Sequence, residues 1–61
     1  MTFEELMKVT WIRQPVTVVL DDDRITGNAD ALLNYICEEV AQADVDEVRV
    51  ENGALIVKVS Q

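Results

Sequence analysis

The last part of the chain carries two runs in which apolar and polar residues alternate, joined by an Asn-Gly dipeptide. A period of two is typical of strands with one buried face, and Asn-Gly favours the type I′ turn of a two-residue hairpin. A loop at Asn52 and Gly53 sets the register. It places these residues opposite one another: Glu51 and Ala54, Val50 and Leu55, Arg49 and Ile56, Val48 and Val57, and Glu47 and Lys58.

This register also assigns the two faces of the hairpin. Five apolar residues share one face, which we predict packs on a helix: Val48, Val50, Leu55, Val57 and Val59. The other face mixes charged residues with Ile56. Glu47 and Lys58 bring opposite charges across the strands, an arrangement that contributes some tenths of a kcal/mol.

Between residues 28 and 43 the apolar positions recur with helical spacing. Six residues fall in one narrow sector and are predicted to be buried: Ala29, Leu32, Leu33, Ile36, Val40 and Ala43. The opposite side carries Asp30, Asn34, Glu38 and Ala41. We predict one long amphipathic helix over this range, with Asn28 as its N-cap and Asp30 complementing its positive end.

The N-terminal part predicts a short helix and a strand pair. Thr2 and Glu5 have the spacing of a capping box, so a helix is expected from Phe3 to about Val9, packed by Phe3, Leu6 and Met7; an extended segment over 9–13 is the competing interpretation.

Pro15 suits the first position of a strand. We expect strands over 16–20 and, briefly, 24–26, the first with Val16, Val18 and Leu20 on one face and the second with Ile25 pointing inward.

Together these elements predict a single α+β domain over 1–61. A short N-terminal helix precedes a β-β-α-β-β arrangement, in which one long helix packs on one face of a small, mainly antiparallel sheet. The sequence contains no internal repeat, low-complexity tract or linker.

Length and composition point to association. A 61-residue chain buries so small a core that burial and chain entropy nearly balance, unless disulfides, a metal or oligomerisation add stability. The one cysteine excludes an intrachain disulfide, and the chain has no histidine. We therefore expect a homodimer or another protein partner.

The formal net charge of -7 argues against direct nucleic-acid binding and against an anionic membrane surface, since both reward lysine and arginine. A basic protein partner suits this charge better. The first residues lack the features of a secretory signal, and no run approaches the ~18 apolar residues of a membrane span. We expect an intact cytoplasmic chain.

The segment LDDDRITGNAD, residues 20–30, resembles at first sight a cation loop. An EF-hand loop starting at Asp21 or Asp22 puts leucine at position 12, where a bidentate glutamate is required. Aspartates favour turns, so we interpret Asp21, Asp22 and Asp23 as a turn that leads to the Asn28 cap. A loose Ca²⁺ or Mg²⁺ site at the three aspartates is the alternative, and no cofactor is expected.

Catalytic chemistry finds little support. Nucleophilic catalysis needs a base beside Ser, Thr or Cys, and the chain has no histidine. We expect Cys37 to be a semi-buried packing residue, with a contact or disulfide at a dimer seam as the alternative. The protein is predicted not to be an enzyme.

Two functions fit these observations. The first is a non-enzymatic interaction module that self-associates or docks on a larger protein through Trp11 and a partly apolar outer sheet face with Thr17, Val19, Ala54 and Ile56. Burial against the sheet is the default expectation for Trp11, and an exposed interface anchor is the alternative. The second is an acidic inhibitor or nucleic-acid mimic that occupies a basic groove through Asp21, Asp22, Asp23, Glu38 and Glu39.

Overall fold

The computed structural model describes residues 1–60. The elements in chain order are α1 (Phe3–Lys8), β1 (Pro15–Val19), β2 (Arg24–Asn28), α2 (Ala29–Tyr35), α3 (Glu38–Ala41), β3 (Asp44–Glu51) and β4 (Ala54–Ser60). The strands form one mixed sheet in the order β2-β1-β4-β3. The α+β class is as predicted, and the central β1-β4 pair is parallel whereas the two outer pairs are antiparallel.

The predicted capping box begins α1. The Thr2 hydroxyl accepts a hydrogen bond from Glu5 N–H (3.2 Å), and the Glu5 carboxylate accepts from Thr2 N–H (2.9 Å). These bonds satisfy backbone donors that a helix start otherwise leaves free. Phe3 and Met7 are buried while Leu6 is half-buried, so α1 packs by the expected face.

The first hairpin extends further than its sequence pattern suggests. β2 continues to Asn28, and Ile25 lies opposite Val18 on the helix-covered face. Gly27 lies opposite Val16 on that face, close to Leu32 of α2. The small residue therefore lets α2 begin directly after β2 and fold back over it.

The second hairpin has the predicted register at all five residue pairs. Asn52 and Gly53 both have positive φ, 52° and 79°, as a type I′ turn requires. The register shifts between Val45 and Glu47, which makes Asp46 the extra residue of a β-bulge.

The single long helix was a wrong prediction. Ile36 is extended (φ -71°, ψ 149°), so α2 ends at Tyr35 and the four-residue α3 follows. Residues 34–37 (Asn-Tyr-Ile-Cys) all have weak helix propensity. The break reorients the chain so that Ala41, expected on the solvent side, is buried along with Val40 and Ala43.

The helices lie on one face of the sheet, and the core fills the space between. Its buried members come from all three helices, the α3-β3 link and the two central strands: Phe3, Met7, Val16, Val18, Ala29, Leu32, Val40, Ala43, Val57 and Val59. None of the helices within residues 1–60 has the length and apolarity to cross a membrane.

The predicted burial of Val48 and Val50 under a helix is wrong. Their side chains are 45% and 69% exposed, whereas Val57, directly opposite Val48, is fully buried. Strand order is the cause. It places β4 at the centre of the sheet and β3 at its edge, where the helices leave Val48 and Val50 exposed.

Candidate interaction surface

The outer edge of β3 is only partly covered. Residues 1–3 run beside its start: Thr2 forms an antiparallel bridge with Asp44, Val45 N–H donates to Met1 C=O (2.9 Å), and Phe3 N–H donates to Ala43 C=O (3.0 Å). No other strand within residues 1–60 pairs with this side of β3. The stretch 46–51 is therefore open to a further strand.

The turn determines which backbone groups point outward along this open stretch. A type I′ turn closes with Glu51 and Ala54 as a hydrogen-bonded pair, and bonded and non-bonded pairs then alternate along an antiparallel hairpin. Arg49 and Glu47 consequently bond to β4, whereas Val48 and Val50 face away from it. The N–H and C=O groups of these two valines therefore point outward, where no strand of residues 1–60 pairs with them.

The side chains of the open stretch divide between the two faces of the sheet. Val48 and Val50 project on the helix-covered face, as do the residues opposite them, Val57 and Leu55. Arg49 lies on the open face between two carboxylates, with Nε 3.0 Å from Glu47 and Nη1 3.4 Å from Glu51. We call residues 47–51, with the outward backbone groups of Val48 and Val50, the valine edge.

The charges on the open face differ in detail from the expected cross-strand pair. Glu47 lies opposite Lys58 as predicted, but its carboxylate pairs with Arg49 on its own strand. Both partners are more than half exposed, so such a pair stabilises the fold by only about 0 to 1 kcal/mol.

The predicted outer-face interaction residues offer less surface than expected. Thr17 is 7% exposed, and its hydroxyl lies 3.1 Å from that of Thr26 on β2. Val19 and Ile56 are half-buried although no helix covers this face. Neighbouring side chains on the open face therefore shield much of the apolar area that the sequence suggested.

Trp11 is 67% exposed, which corrects the default expectation of a buried indole. It lies in the α1-β1 loop, where its C=O accepts from Gln14 N–H (2.9 Å). Gln14 in turn donates through Nε2 to Gly53 C=O (2.9 Å). This bond fixes the loop against the tip of the β3-β4 hairpin, at the end where the valine edge finishes.

Most of the acidic residues proposed as a binding surface lie at one end of the sheet. The parallel β1-β4 pair places the turn of Asp21, Asp22 and Asp23 at the same end of the sheet as Asp44 and Asp46. Glu39 borders a shallow hollow with Asp44 and Ser60, so it belongs to that end too. Arg24 and Lys58 are the basic residues nearby, both on the open face.

The aspartate segment has the hydrogen bonds of a turn and a cap. Leu20 N–H donates to Asp23 C=O (2.8 Å), and the Asp23 carboxylate accepts from Arg24 N–H (2.8 Å). Asn28 caps α2 by accepting from Ala31 N–H (2.7 Å). Residues 1–60 contain no group of three or more His, Cys, Asp or Glu side chains placed to hold a metal ion.

Cys37 is exposed, not semi-buried as predicted. The helix break explains this position, because Cys37 is now the N-cap of α3 instead of the flank of a continuous helix. Its side chain makes no capping hydrogen bond.

The pKa of the Glu5 carboxyl is lowered by its hydrogen bonds from Thr2, first the backbone N–H and then the hydroxyl. That perturbation follows from helix capping and needs no catalytic role.

The sequence interpretation missed Val48 and Val50 as surface residues because alternation alone cannot tell an edge strand from a central one. A signal was present, however. The run Glu47-Val-Arg-Val-Glu51 carries a charge at every second position, and charged side chains are a common feature of edge strands. By contrast, β4 carries one charge, Lys58.

Comparison of the chain with protein-family models, with curated proteins and with solved structures finds no significant match.

Proposed function

We propose that this protein is a non-enzymatic interaction module that self-associates as a homodimer. The observation that carries the proposal is the valine edge, where two valines are 45% and 69% exposed on a strand whose outward backbone groups have no partner strand within residues 1–60. An open strand with adjacent apolar side chains favours pairing with another chain.

The size of the core supports the same proposal. Three of the eleven buried hydrophobic residues are alanines, which bury little area: Ala29, Ala41 and Ala43. A domain this small is marginally stable by itself. Covering further apolar surface by association would stabilise it, and homodimers with two-fold symmetry are the commonest form of such assembly.

The test is the solution mass of the full chain between about 10 μM and 1 mM, a range that spans dissociation constants in the micromolar to millimolar range, by sedimentation equilibrium at low and high salt. A homodimer is expected, and it should persist at high salt because apolar and backbone contacts are screened little. Val50→Lys, which puts a charge on the exposed valine side chain, is expected to weaken it, while Val9→Lys, at another exposed valine, is the matched control. A monomer throughout the range would contradict the proposal.

The second candidate, an acidic inhibitor or nucleic-acid mimic, is favoured by a different observation. One end of the sheet collects Asp21, Asp22, Asp23, Glu39, Asp44 and Asp46, and the chain's net charge is -7. Such an end would attract a basic groove through long-range electrostatics.

Salt separates the two candidates. Binding of the chain to a basic protein is expected to fall steeply between 50 mM and 500 mM salt as screening increases. A variant with Asn at 21, 22 and 23 should lose that binding but keep any homodimer, because these residues lie in the β1-β2 turn, away from the β3 edge.

A further inference from the structure

We propose that the homodimer forms by antiparallel pairing of the valine edge with the same edge of a second copy, in the register that places Val48 opposite the partner subunit's Val48. The two four-stranded sheets would then join into one of eight strands. This inference rests on the proposed function and adds the location and register of the contact.

Symmetry limits how two copies of one edge can pair. Antiparallel pairing of identical strands has a two-fold axis, and the residue on the axis lies opposite itself. The regular, outward-open stretch runs only from the bulge at Asp46 to the turn at Asn52. The axis can therefore pass through Val48, Arg49 or Val50, since each of these choices pairs at least three residues of the valine edge with the second copy.

Charge excludes the register centred on Arg49. It would use all five residues of the edge, but it places Arg49 opposite the partner subunit's Arg49 and Glu47 opposite the partner subunit's Glu51. Like charges directly opposite each other destabilise a strand pair. The charges on the open face of β3 therefore disfavour the register centred on Arg49, which the backbone alone would favour.

The turn excludes the register centred on Val50. There, Val48 would face the partner subunit's Asn52, which has φ 52° and has already left the strand. The outward N–H and C=O of Val48 would then face a turn residue and be left without a strand partner.

The register centred on Val48 meets the charge constraint, and it places Val50 opposite the partner subunit's Asp46, which is the bulge residue but still lies within β3. Arg49 lies opposite the partner subunit's Glu47, and symmetry repeats that pair, so the contact contains two opposite-charge pairs. Val48 exchanges backbone hydrogen bonds with the partner subunit's Val48. On the helix-covered face, Val50 is the diagonal neighbour of the partner subunit's Val48, close enough for side chains to contribute. Four exposed valines become one contiguous patch.

The N-terminal segment limits how far this pairing extends. In the chosen register the partner subunit's Glu51 lies opposite Val45, and its first turn residue, Asn52, lies opposite Asp44. There the segment 1–3 already holds Val45 N–H and Ala43 C=O. The segment 1–3 therefore confines the pairing to residues 46–50 of each copy.

The contact involves only a few residues of each chain, so association is expected to be weak. Interfaces below about 1,200 Å² are typical of transient complexes, and two chains of net charge -7 repel each other. Raising the salt concentration screens this repulsion. We expect the dimer to become tighter, not weaker, between 20 mM and 200 mM NaCl, opposite to the salt response of a basic partner.

The location of the contact can be read from amide hydrogen exchange of the full chain, measured by NMR between about 10 μM and 1 mM, concentrations that bracket weak dimerisation. The Val48 amide is expected to exchange quickly in dilute solution and to become protected as the dimer forms. The Arg49 amide bonds to β4 in either state and serves as the internal control. A dimer that leaves the Val48 amide unprotected overturns the edge pairing but leaves self-association standing.

Charge reversal tests the register. Arg49→Glu places two carboxylates opposite each other twice, so the dimer should weaken about tenfold or more. The double variant Glu47→Arg/Arg49→Glu exchanges the partners and should restore the affinity to within about threefold, a difference below 1 kcal/mol. Arg49→Glu/Glu51→Arg has the same net charge but restores only the register centred on Val50.

The outcomes separate the two levels of the proposal. Rescue by the Glu51 double variant alone overturns the register centred on Val48. Equal loss in all three variants, with melting curves in dilute solution showing that each folds, overturns the charge argument. A chain that stays monomeric to about 1 mM, a Kd that corresponds to a binding free energy of about -4.1 kcal/mol, overturns both the proposed function and this inference.

Discussion

The contrast between the two strands of the second hairpin leads to a stability prediction. Val48 and Val57 lie directly opposite each other and project on the same face, yet Val57 is 0% and Val48 45% exposed. The substitution Val→Ala at each position removes the same atoms, from the central strand β4 in one case and from the edge strand β3 in the other. A difference in cost then reports chiefly how much of each side chain the fold covers.

The magnitudes follow from burial. Removing two fully buried methyl groups from Val57 costs about 1.6 kcal/mol in transfer free energy, and the cavity left between strands and helices raises this to about 2–3 kcal/mol. At Val48 roughly half of that transfer term applies and no closed cavity forms, giving about 0.8–1 kcal/mol. The expected difference is therefore about 1–2 kcal/mol.

Urea unfolding followed by circular dichroism measures this difference. Protein at about 5 μM keeps a weak dimer dissociated, and similar m-values would show that both variants unfold comparable surfaces. Total stability for 61 residues is about 3–9 kcal/mol, so Val57→Ala should lower the midpoint substantially. Equal costs at the two positions would refute the reasoning, because they would mean that Val48 is covered in the monomer.

Three further predictions concern local structure. Gly53→Ala should destabilise the chain by about 1 kcal/mol or more in urea unfolding, because φ is +79° and the cost is backbone strain, not a clash. An unchanged midpoint would contradict the type I′ turn. Thr2→Ala should cost about 1 kcal/mol and raise the pKa of Glu5 toward its ordinary value in an NMR titration. That pKa is lowered in the folded chain, so the stabilisation is present at neutral pH and lost as the pH falls through it. The exposed Cys37 thiol should react with Ellman's reagent without denaturant, and a protected thiol would contradict its position.

Local signals in the sequence predict much of this fold. The capping box at Thr2, the Asn28 cap and the Asn-Gly turn each involve residues within three positions of one another, and all three were confirmed. The hairpin register follows from the turn alone. These features are local because their hydrogen bonds satisfy neighbouring backbone groups, whatever the rest of the chain does.

What the sequence pattern predicts less well depends on strand order. Alternation identifies the face of β3 that carries Val48 and Val50, but whether a helix covers that face depends on which strand occupies the centre of the sheet. The helix break at Ile36 is similar. Periodicity continues smoothly through it, so only the weak propensities of residues 34–37 gave a warning.

The candidate surface also shows why composition alone was a poor guide. Trp11 was expected to be buried and Cys37 semi-buried, and both are exposed. Thr17 was expected at an interface and is buried. Residue type gives an average tendency toward burial. In so small a chain, the position of each element relative to three short helices decides the outcome.

The valine edge combines two properties that usually oppose each other. Charged side chains on an edge strand hinder uncontrolled pairing with other chains, and Glu47, Arg49 and Glu51 act in that way against the register that uses the whole edge. When the two-fold axis passes through Val48 instead of Arg49, the same charges become complementary, because Arg49 then lies opposite the partner subunit's Glu47. The N-terminal bridge to Asp44 then limits how far a partner can extend. An edge built in this way would reject most strands and still accept a second copy of itself in one alignment, which is why the matched charge reversals at positions 47, 49 and 51 are the decisive variants.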